Sequence, residues 1–179
     1  MKLQIDDLEF EPLISPEKIQ QRVAEVARQI NEDFEGKTPI FVGILNGSFM
    51  FAADLVKEIV VPCEVTFTKL ASYFGGLSST RTIRDDFDLH VNIKGKDVIL
   101  IEDIIDSGNT IKYLIEKLMV REPASITVCS LLFKPDAVVY SIEELKYVAF
   151  QIPNEFVVGY GLDYKELGRN LKGIYRKIG

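Results

Sequence analysis

The sequence predicts an α/β fold in which helices flank a mostly parallel central sheet. Apolar runs of strand length alternate along the chain with segments of helical periodicity. One run, Val98-Ile99-Leu100-Ile101, is apolar at every position, which is typical of a strand buried on both faces of a parallel sheet. The 179 residues, 47% of them hydrophobic, suffice for a sizeable core. We therefore treat residues 1–179 as a single domain.

The first predicted helix begins at a recognisable start signal. Ser15 can cap it, Pro16 suits its first position, and Gly36 ends it. Apolar residues three or four positions apart form its buried face: Ile19, Val23, Val26, Ala27, Ile30 and Phe34.

The next elements are a strand over 39–45, a helix from the turn at 46–48 to about 59, and a strand over 64–70. Residues 72–88 are polar and contain Gly75-Gly76, so we interpret them as a mobile loop or a loosely held hairpin.

The second half of the chain continues the alternation. Strands are predicted over 97–102, 125–133 and 147–150, a helix over 110–121, and a short apolar segment over 156–158. Strands that alternate with helices indicate right-handed βαβ units and hence a parallel sheet.

The composition and charge of the chain exclude several classes of function. The net charge of −6 and the pI of about 4.9 argue against general nucleic-acid binding, which usually requires a basic surface. We expect the basic stretch 164–179 to be a solvated tail, apart from Arg169. The chain shows no disulfide framework, no zinc-ligand cluster, no secretory segment and no apolar stretch of membrane-spanning length. A cytoplasmic protein without a membrane partner is the expectation.

The chemistry concentrates where the strand over 97–102 ends. Glu102 and Asp103 close the strand, Asp106 follows, and the small residues 107–110 open a helix. Ligands of open α/β sheets bind at the carboxyl ends of strands, and a helix N-terminus there favours phosphate. Carboxylates accept hydrogen bonds from hydroxyls and coordinate hard metal ions. This combination suits a phosphorylated sugar, although a solvated strand end followed by an Asp or Ser helix cap would give the same pattern.

Five segments in a fixed order carry a resemblance to a known family: 45–48 (Leu-Asn-Gly-Ser), Ser72-Tyr73, 102–110, Lys134-Pro135 and 156–164 (Phe-Val-Val-Gly-Tyr-Gly-Leu-Asp-Tyr). From about residue 10 to the C-terminus the chain resembles the type I phosphoribosyltransferases, and among them the hypoxanthine-guanine phosphoribosyltransferases. The resemblance implies the fold of that family. It adds a small hood, formed by the N-terminal residues and the segment around 135–179, and a flexible lid over 72–88 that includes Ser72 and Tyr73.

The implied activity is purine salvage. A 5-phosphoribosyl group moves from 5-phosphoribosyl-1-pyrophosphate (PRPP) to N9 of hypoxanthine or guanine, with Mg²⁺ as cofactor. On the ribose-phosphate side, the resemblance assigns Glu102 and Asp103 to the ribose hydroxyls and the metal. It makes Asp106 the acid–base residue near N7 of the purine. The 5′-phosphate would lie in the turn formed by Ser107, Gly108, Asn109 and Thr110.

On the other side of the site, the resemblance assigns pyrophosphate to Leu45, Asn46, Gly47 and Arg169, with a cis peptide between Leu45 and Asn46. The purine base falls to Lys134, Phe156, Val157 and Asp163, and Asp163 also reaches a metal ion through water. Lys134 would donate to the 6-oxo group, Phe156 would stack on the ring, and Val157 would bind the base edge through its backbone.

Two rival functions remain open at this point: a xanthine-preferring phosphoribosyltransferase, and an RNA-binding regulator built on the same fold. The resemblance also implies a homodimer or a homotetramer.

Overall fold

The structure is a computed structural model that describes residues 2–69 and 89–179. The predicted lid over 72–88, with Ser72 and Tyr73, lies outside the described residues. In chain order, the elements are β1 (Leu3–Ile5), β2 (Leu8–Ile14), α1 (Pro16–Asp33), β3 (Ile40–Leu45), α2 (Phe49–Lys57), β4 (Glu64–Lys69), β5 (Asp97–Ile105), α3 (Asn109–Met119), β6 (Ser125–Phe133), β7 (Leu145–Gln151), β8 (Val157–Val158) and β9 (Ile174–Lys177).

The central sheet contains five parallel strands in the order β4-β3-β5-β6-β7. Successive residues of β5 point to opposite faces. Ile99 and Ile101 pack in the core under α1 and α2, whereas Val98 and Leu100 pack under α3. The predicted parallel sheet with helices on both faces is confirmed. The middle strand of this sheet is β5, and it is buried because helices cover both of its faces.

A second sheet joins the two ends of the chain. It is antiparallel, in the order β1-β2-β9-β8. A small core of Ile5, Phe10 and Val158 packs against it. The sequence patterns did not predict β1, β2 or β9.

The expectation of a solvated basic tail is therefore wrong for part of the C-terminal stretch. Arg176 lies in β9 and forms ion pairs with Glu11 at 2.7 Å and Glu155 at 3.2 Å. Lys165 contacts the carboxylates of Asp6 and Asp7. These basic residues meet acids from distant parts of the chain, and strand pairing brings the two groups together.

Most boundaries agree with the prediction. The Ser15 hydroxyl accepts a hydrogen bond from the Lys18 N–H at 3.3 Å and caps α1. The main difference lies in β5, which continues past the predicted end at residue 102 to Ile105 because it stays paired with β6 there. No helix within the described ranges is long and apolar enough to cross a membrane.

Candidate active site

A cavity of about 360 Å³ opens where β3 and β5 end. These strands are neighbours in the sheet, so the loops that follow them meet at the same edge. The wall of the cavity consists of Ile44, Leu45, Asn46, Gly47, Glu102, Asp103, Ile104, Ile105, Asp106, Ser107, Gly108, Thr110, Ile111, Asp163 and Arg169. Most of the residues singled out in the sequence thus lie around one cavity.

Two adjacent carboxylates form the floor of the cavity. Glu102 is buried, with 6% of its surface exposed, and one of its oxygens accepts a hydrogen bond from the Asp103 N–H at 3.1 Å. The Asp103 carboxylate accepts one from the Ile104 N–H at 2.8 Å. Burial raises the pKa of both groups, and the neighbouring Asp103 charge raises the Glu102 pKa further. Such a pair favours a ligand that supplies hydroxyl donors or positive charge.

The turn at 107–110 presents backbone donors to the same space. Gly108 has a left-handed φ of +83°, and α3 begins at the next residue. The N-cap residue Gly108 has no side chain to cap the helix, and the Ser107 hydroxyl oxygen accepts a long hydrogen bond from the Asn109 N–H at 3.4 Å. The first-turn N–H groups beyond Asn109 in this 11-residue helix remain available for an anionic ligand.

The loop at 45–48 lies against the acid pair. The peptide between Leu45 and Asn46 is cis, as the resemblance implied. A Cβ atom on Gly47 would overlap the Asp103 carboxylate, and a Cβ atom on Gly161 would overlap the Gly47 carbonyl oxygen. Only glycine fits at these two positions, so the loop is packed between the acid pair and the backbone at Gly161.

Arg169 and Asp163 close the opposite wall. The Arg169 guanidinium donates to the Gly161 carbonyl oxygen at 2.9 Å and pairs with the carboxylates of Asp163 at 2.8 Å and Glu166 at 3.1 Å. Its Nε is buried and has no hydrogen-bond partner among the described residues. The guanidinium is thus held by its neighbours and retains an unused donor.

Lys134 lies just behind Asp106. The Lys134 side chain is 7% exposed, and its ammonium group donates to the Asp106 carboxylate at 3.2 Å. Asp106 itself is 58% exposed and borders the cavity. The structure thus brings together the residue assigned to acid–base chemistry and the residue assigned to the 6-oxo group.

Phe156 and Val157 lie beyond the cavity wall defined above, as do Asn109 and Lys134. The Phe156 ring is 45% exposed and meets the Tyr164 ring edge to face, with centroids 5.8 Å apart. Val157 is buried in β8. An exposed aromatic face next to the segment that carries Asp163 is a suitable platform for a planar ring.

The sequence-based reasoning missed the role of Gly161 and its neighbours. Gly159, Tyr160 and Gly161 all have left-handed φ values, of +100°, +50° and +104°. Two glycines that flank a single residue just after a short strand are the signal that could have indicated this tight turn.

A family model and a curated relative both indicate a phosphoribosyl transferase. The family model described as "Phosphoribosyl transferase domain" matches residues 14–165. The chain is 47% identical to the hypoxanthine phosphoribosyltransferase of Salmonella typhimurium over 163 residues, which cover 90% of this chain and 91% of that protein.

Solved structures are similar as well. A hypoxanthine-guanine phosphoribosyltransferase from Bacillus anthracis superposes with a TM-score of 0.85 at 40% identity and covers 96% of this chain and 100% of its own. The hypoxanthine phosphoribosyl transferase of Trypanosoma cruzi gives a TM-score of 0.87 at 33% identity, with 98% and 95% covered.

Proposed function

The chain belongs to the phosphoribosyl transferase family, and we propose from this premise how the described site works. The reaction is PRPP-dependent purine salvage: a 5-phosphoribosyl group passes to N9 of hypoxanthine or guanine and pyrophosphate leaves. The observation that carries the residue assignments is the single cavity shared by the α3 N-terminus, the Glu102–Asp103 pair and the 45–48 loop.

The ribose-phosphate part of PRPP fits the β5 side of the cavity. The 5′-phosphate accepts hydrogen bonds from backbone N–H groups of the 107–110 turn and from the hydroxyls of Ser107 and Thr110. Asn109 contributes its backbone as the first residue of α3. The ribose hydroxyls donate to Glu102 and Asp103. Each of these carboxylates accepts a hydrogen bond from one backbone N–H, so oxygen lone pairs remain for the ribose hydroxyls.

Pyrophosphate departs on the other side. As N9 of the base attacks C1′, the bond between C1′ and the pyrophosphate oxygen breaks and its electron pair leaves with pyrophosphate. Backbone N–H groups of Asn46 and Gly47 and the Arg169 guanidinium stabilise the growing negative charge. Leu45 contributes the peptide group that it shares with Asn46, which is cis.

The base lies between Lys134 and Phe156. Lys134 donates to the 6-oxo group, Phe156 stacks on the ring, and the backbones of Val157 and Asp163 bind the far edge. Asp106 accepts the proton that leaves the purine at N7 during the attack. Such general base catalysis contributes about 10²–10⁴-fold to the rate.

The donor set also fits Mg²⁺. Glu102, Asp103 and Asp163 offer hard carboxylate oxygens. Burial raises the pKa of Glu102 and Asp103, and the Arg169 charge offsets this only in part at Asp103, so a bound cation would be favourable beside the pair. No group of three acidic, His or Cys side chains in the described ranges is close enough to hold a metal by itself. These carboxylates would therefore hold the ion together with PRPP oxygens and water. When bound, the ion supplies charge neutralisation for the leaving pyrophosphate.

The proposal includes a homodimer or homotetramer. Support comes from the Trypanosoma cruzi relative, whose C-terminal region was studied for its role in that protein's oligomeric state. It also includes a cytoplasmic location, which agrees with the free thiols of Cys63 and Cys129.

The purified protein, incubated with PRPP, Mg²⁺ and hypoxanthine, tests this function directly. We expect IMP and pyrophosphate in equal amounts, and no IMP after EDTA removes the metal. IMP formation that is unaffected by EDTA would contradict the metal assignment, and absence of IMP under all conditions would contradict the function.

A further inference from the structure

Tyr160 has a buried hydroxyl that the reaction does not use. The residue is 1% exposed, and the hydroxyl donates to a carboxylate oxygen of Asp54 at 2.6 Å. Tyr160 is the middle residue of the turn formed by residues 159–161, hereafter the Gly-Tyr-Gly turn. A non-glycine residue rarely adopts its φ of +50°, so the surrounding contacts determine this conformation.

Asp54 is held firmly as an acceptor. Its carboxylate accepts a hydrogen bond from the Gln20 amide of α1 at 2.7 Å and pairs with Lys57 at 2.6 Å. Asp54 lies on α2, which begins directly after the 45–48 loop. The Asp54–Tyr160 bond therefore ties the helix behind that loop to the Gly-Tyr-Gly turn.

The Gly-Tyr-Gly turn supports the residues proposed to face pyrophosphate. The Gly161 backbone lies against the Gly47 carbonyl so closely that no side chain fits between them. The Gly161 N–H donates to the Arg169 carbonyl at 3.0 Å, and the Arg169 guanidinium donates back to the Gly161 carbonyl at 2.9 Å. A shift of the turn would move Arg169 relative to the 45–48 loop.

The base side has a separate support. Val157 and Val158 pair with Arg176 and Tyr175 of β9, and this pairing does not depend on the Tyr160 hydroxyl.

We propose that Tyr160 is a positioning residue whose hydrogen bond to Asp54 sets the distance between the 45–48 loop and Arg169, and so determines affinity for the pyrophosphate part of PRPP. This inference rests on the proposed function.

The chain contains a matched control. Tyr147 is 2% exposed, and its hydroxyl donates to Asp33 at 2.6 Å, with Lys146 paired to the same carboxylate. Neither Tyr147 nor Asp33 lines the cavity. Tyr147→Phe therefore removes the same kind of bond between a buried tyrosine and an aspartate at a place remote from substrate.

The test compares steady-state kinetics and thermal unfolding of Tyr160→Phe, Asp54→Asn, the double variant and Tyr147→Phe. We expect Tyr160→Phe to raise the KM for PRPP by roughly tenfold, because a displacement of binding groups by about 1 Å can cost about 10²-fold and this shift is smaller, and to leave the KM for hypoxanthine within about twofold. The double variant should be no worse than the poorer single variant, and Tyr147→Phe should lower Tm without changing either KM.

Equal KM values for PRPP in wild type, Tyr160→Phe and Tyr147→Phe would overturn the inference while leaving the proposed function intact. Equal rises in both KM values for Tyr160→Phe would also overturn it, since they would indicate a general loss of structure. A wild-type protein that forms no IMP would instead contradict the proposed function, and the inference with it.

Discussion

The ammonium group of Lys134 lies 3.2 Å from the carboxylate of Asp106 because the two residues follow neighbouring strands in register. Ile105, the last residue of β5, pairs with Phe133, the last residue of β6. Asp106 and Lys134 directly follow these two residues. The Lys134 N–H also donates to the Ile105 carbonyl at 3.0 Å. Sheet pairing thus brings the proposed proton acceptor and the proposed 6-oxo donor together before any base binds.

Replacing Asp106, the proposed proton acceptor, should slow the chemical step. Asp106→Asn is nearly isosteric and keeps an oxygen that can accept from Lys134, so the ground-state geometry should persist. We expect kcat to fall by about 10²–10⁴-fold, or ~2.7–5.5 kcal/mol in the barrier, with little change in the KM for PRPP. Single-turnover kinetics measure this step, and a near-normal rate would show that Asp106 is not the base.

Removing the Lys134 charge should weaken binding of the base. Lys134→Met keeps an apolar side chain of similar length in a buried position. We expect kcat/KM for hypoxanthine to fall roughly 10- to 150-fold, the range for one hydrogen bond to a charged group. Lys94→Met, which removes an exposed lysine paired with Glu122, is the control. Equal effects of the two substitutions on the kinetics would contradict the assignment.

Gly47 provides a steric test of the proposed PRPP site. In Gly47→Ala, the new methyl group would overlap the Asp103 carboxylate and displace it or the 45–48 loop. We expect the loss of most PRPP affinity and a destabilisation of about 1–3 kcal/mol from overpacking. Calorimetric titration with PRPP and Mg²⁺ measures the affinity.

Gly36→Ala is the control for Gly47→Ala. A Cβ atom at Gly36 meets no atom within 4 Å, although its φ of +74° makes alanine unfavourable there. This variant should lose stability and bind PRPP normally. Normal PRPP binding by Gly47→Ala would mean that the loop and Asp103 move apart freely.

Asp54 should make stability depend on pH in the acid range. Burial alone would raise the pKa of this carboxyl, but hydrogen bonds from Lys57, Tyr160 and Gln20 outweigh burial and lower the pKa below the usual 3.8. A carboxylate whose pKa is lower in the folded state than in the unfolded state stabilises the fold at pH values above the unfolded-state pKa. This contribution is lost as the pH falls through the folded-state pKa.

The corresponding variant is Asp54→Asn. We expect its free energy of unfolding to be about 1–3 kcal/mol below that of wild type at pH 7, with the difference narrowing below pH ~4. Urea unfolding at pH 7, 5 and 3.5 measures the difference. A constant difference at all three pH values would show that the ionised carboxylate does not stabilise the fold.

The sequence predicted the parallel sheet well because its signals are local. The uninterrupted apolar run of β5 and the periodic apolar face of α1 reflect burial directly. The acids and the small turn after β5 could be assigned to one cavity because parallel strands end at a common edge.

The antiparallel sheet has no comparable local signal. Its strands combine charged and apolar residues, and Arg176 of β9 is satisfied by Glu11, 165 positions earlier in the chain. The contact between Gly47 and Gly161 is equally non-local. Both features form only when segments far apart in the sequence come together, so periodicity alone could not predict them.

Base selectivity tests the central claim most directly, through kcat/KM for hypoxanthine, guanine, xanthine and adenine at saturating PRPP. In the proposed site, Lys134 requires an acceptor at position 6 of the purine, which excludes adenine. In the same proposal, the backbone carbonyls of Val157 and Asp163 favour the 2-amino group of guanine and tolerate hypoxanthine through water. The 2-oxo group of xanthine would leave these carbonyls unpaired at a cost of roughly 1–3 kcal/mol. We predict that hypoxanthine and guanine react well, xanthine roughly 5- to 150-fold less efficiently and adenine not at all. Xanthine reacting as well as hypoxanthine, or adenine reacting at all, would contradict this account of the site.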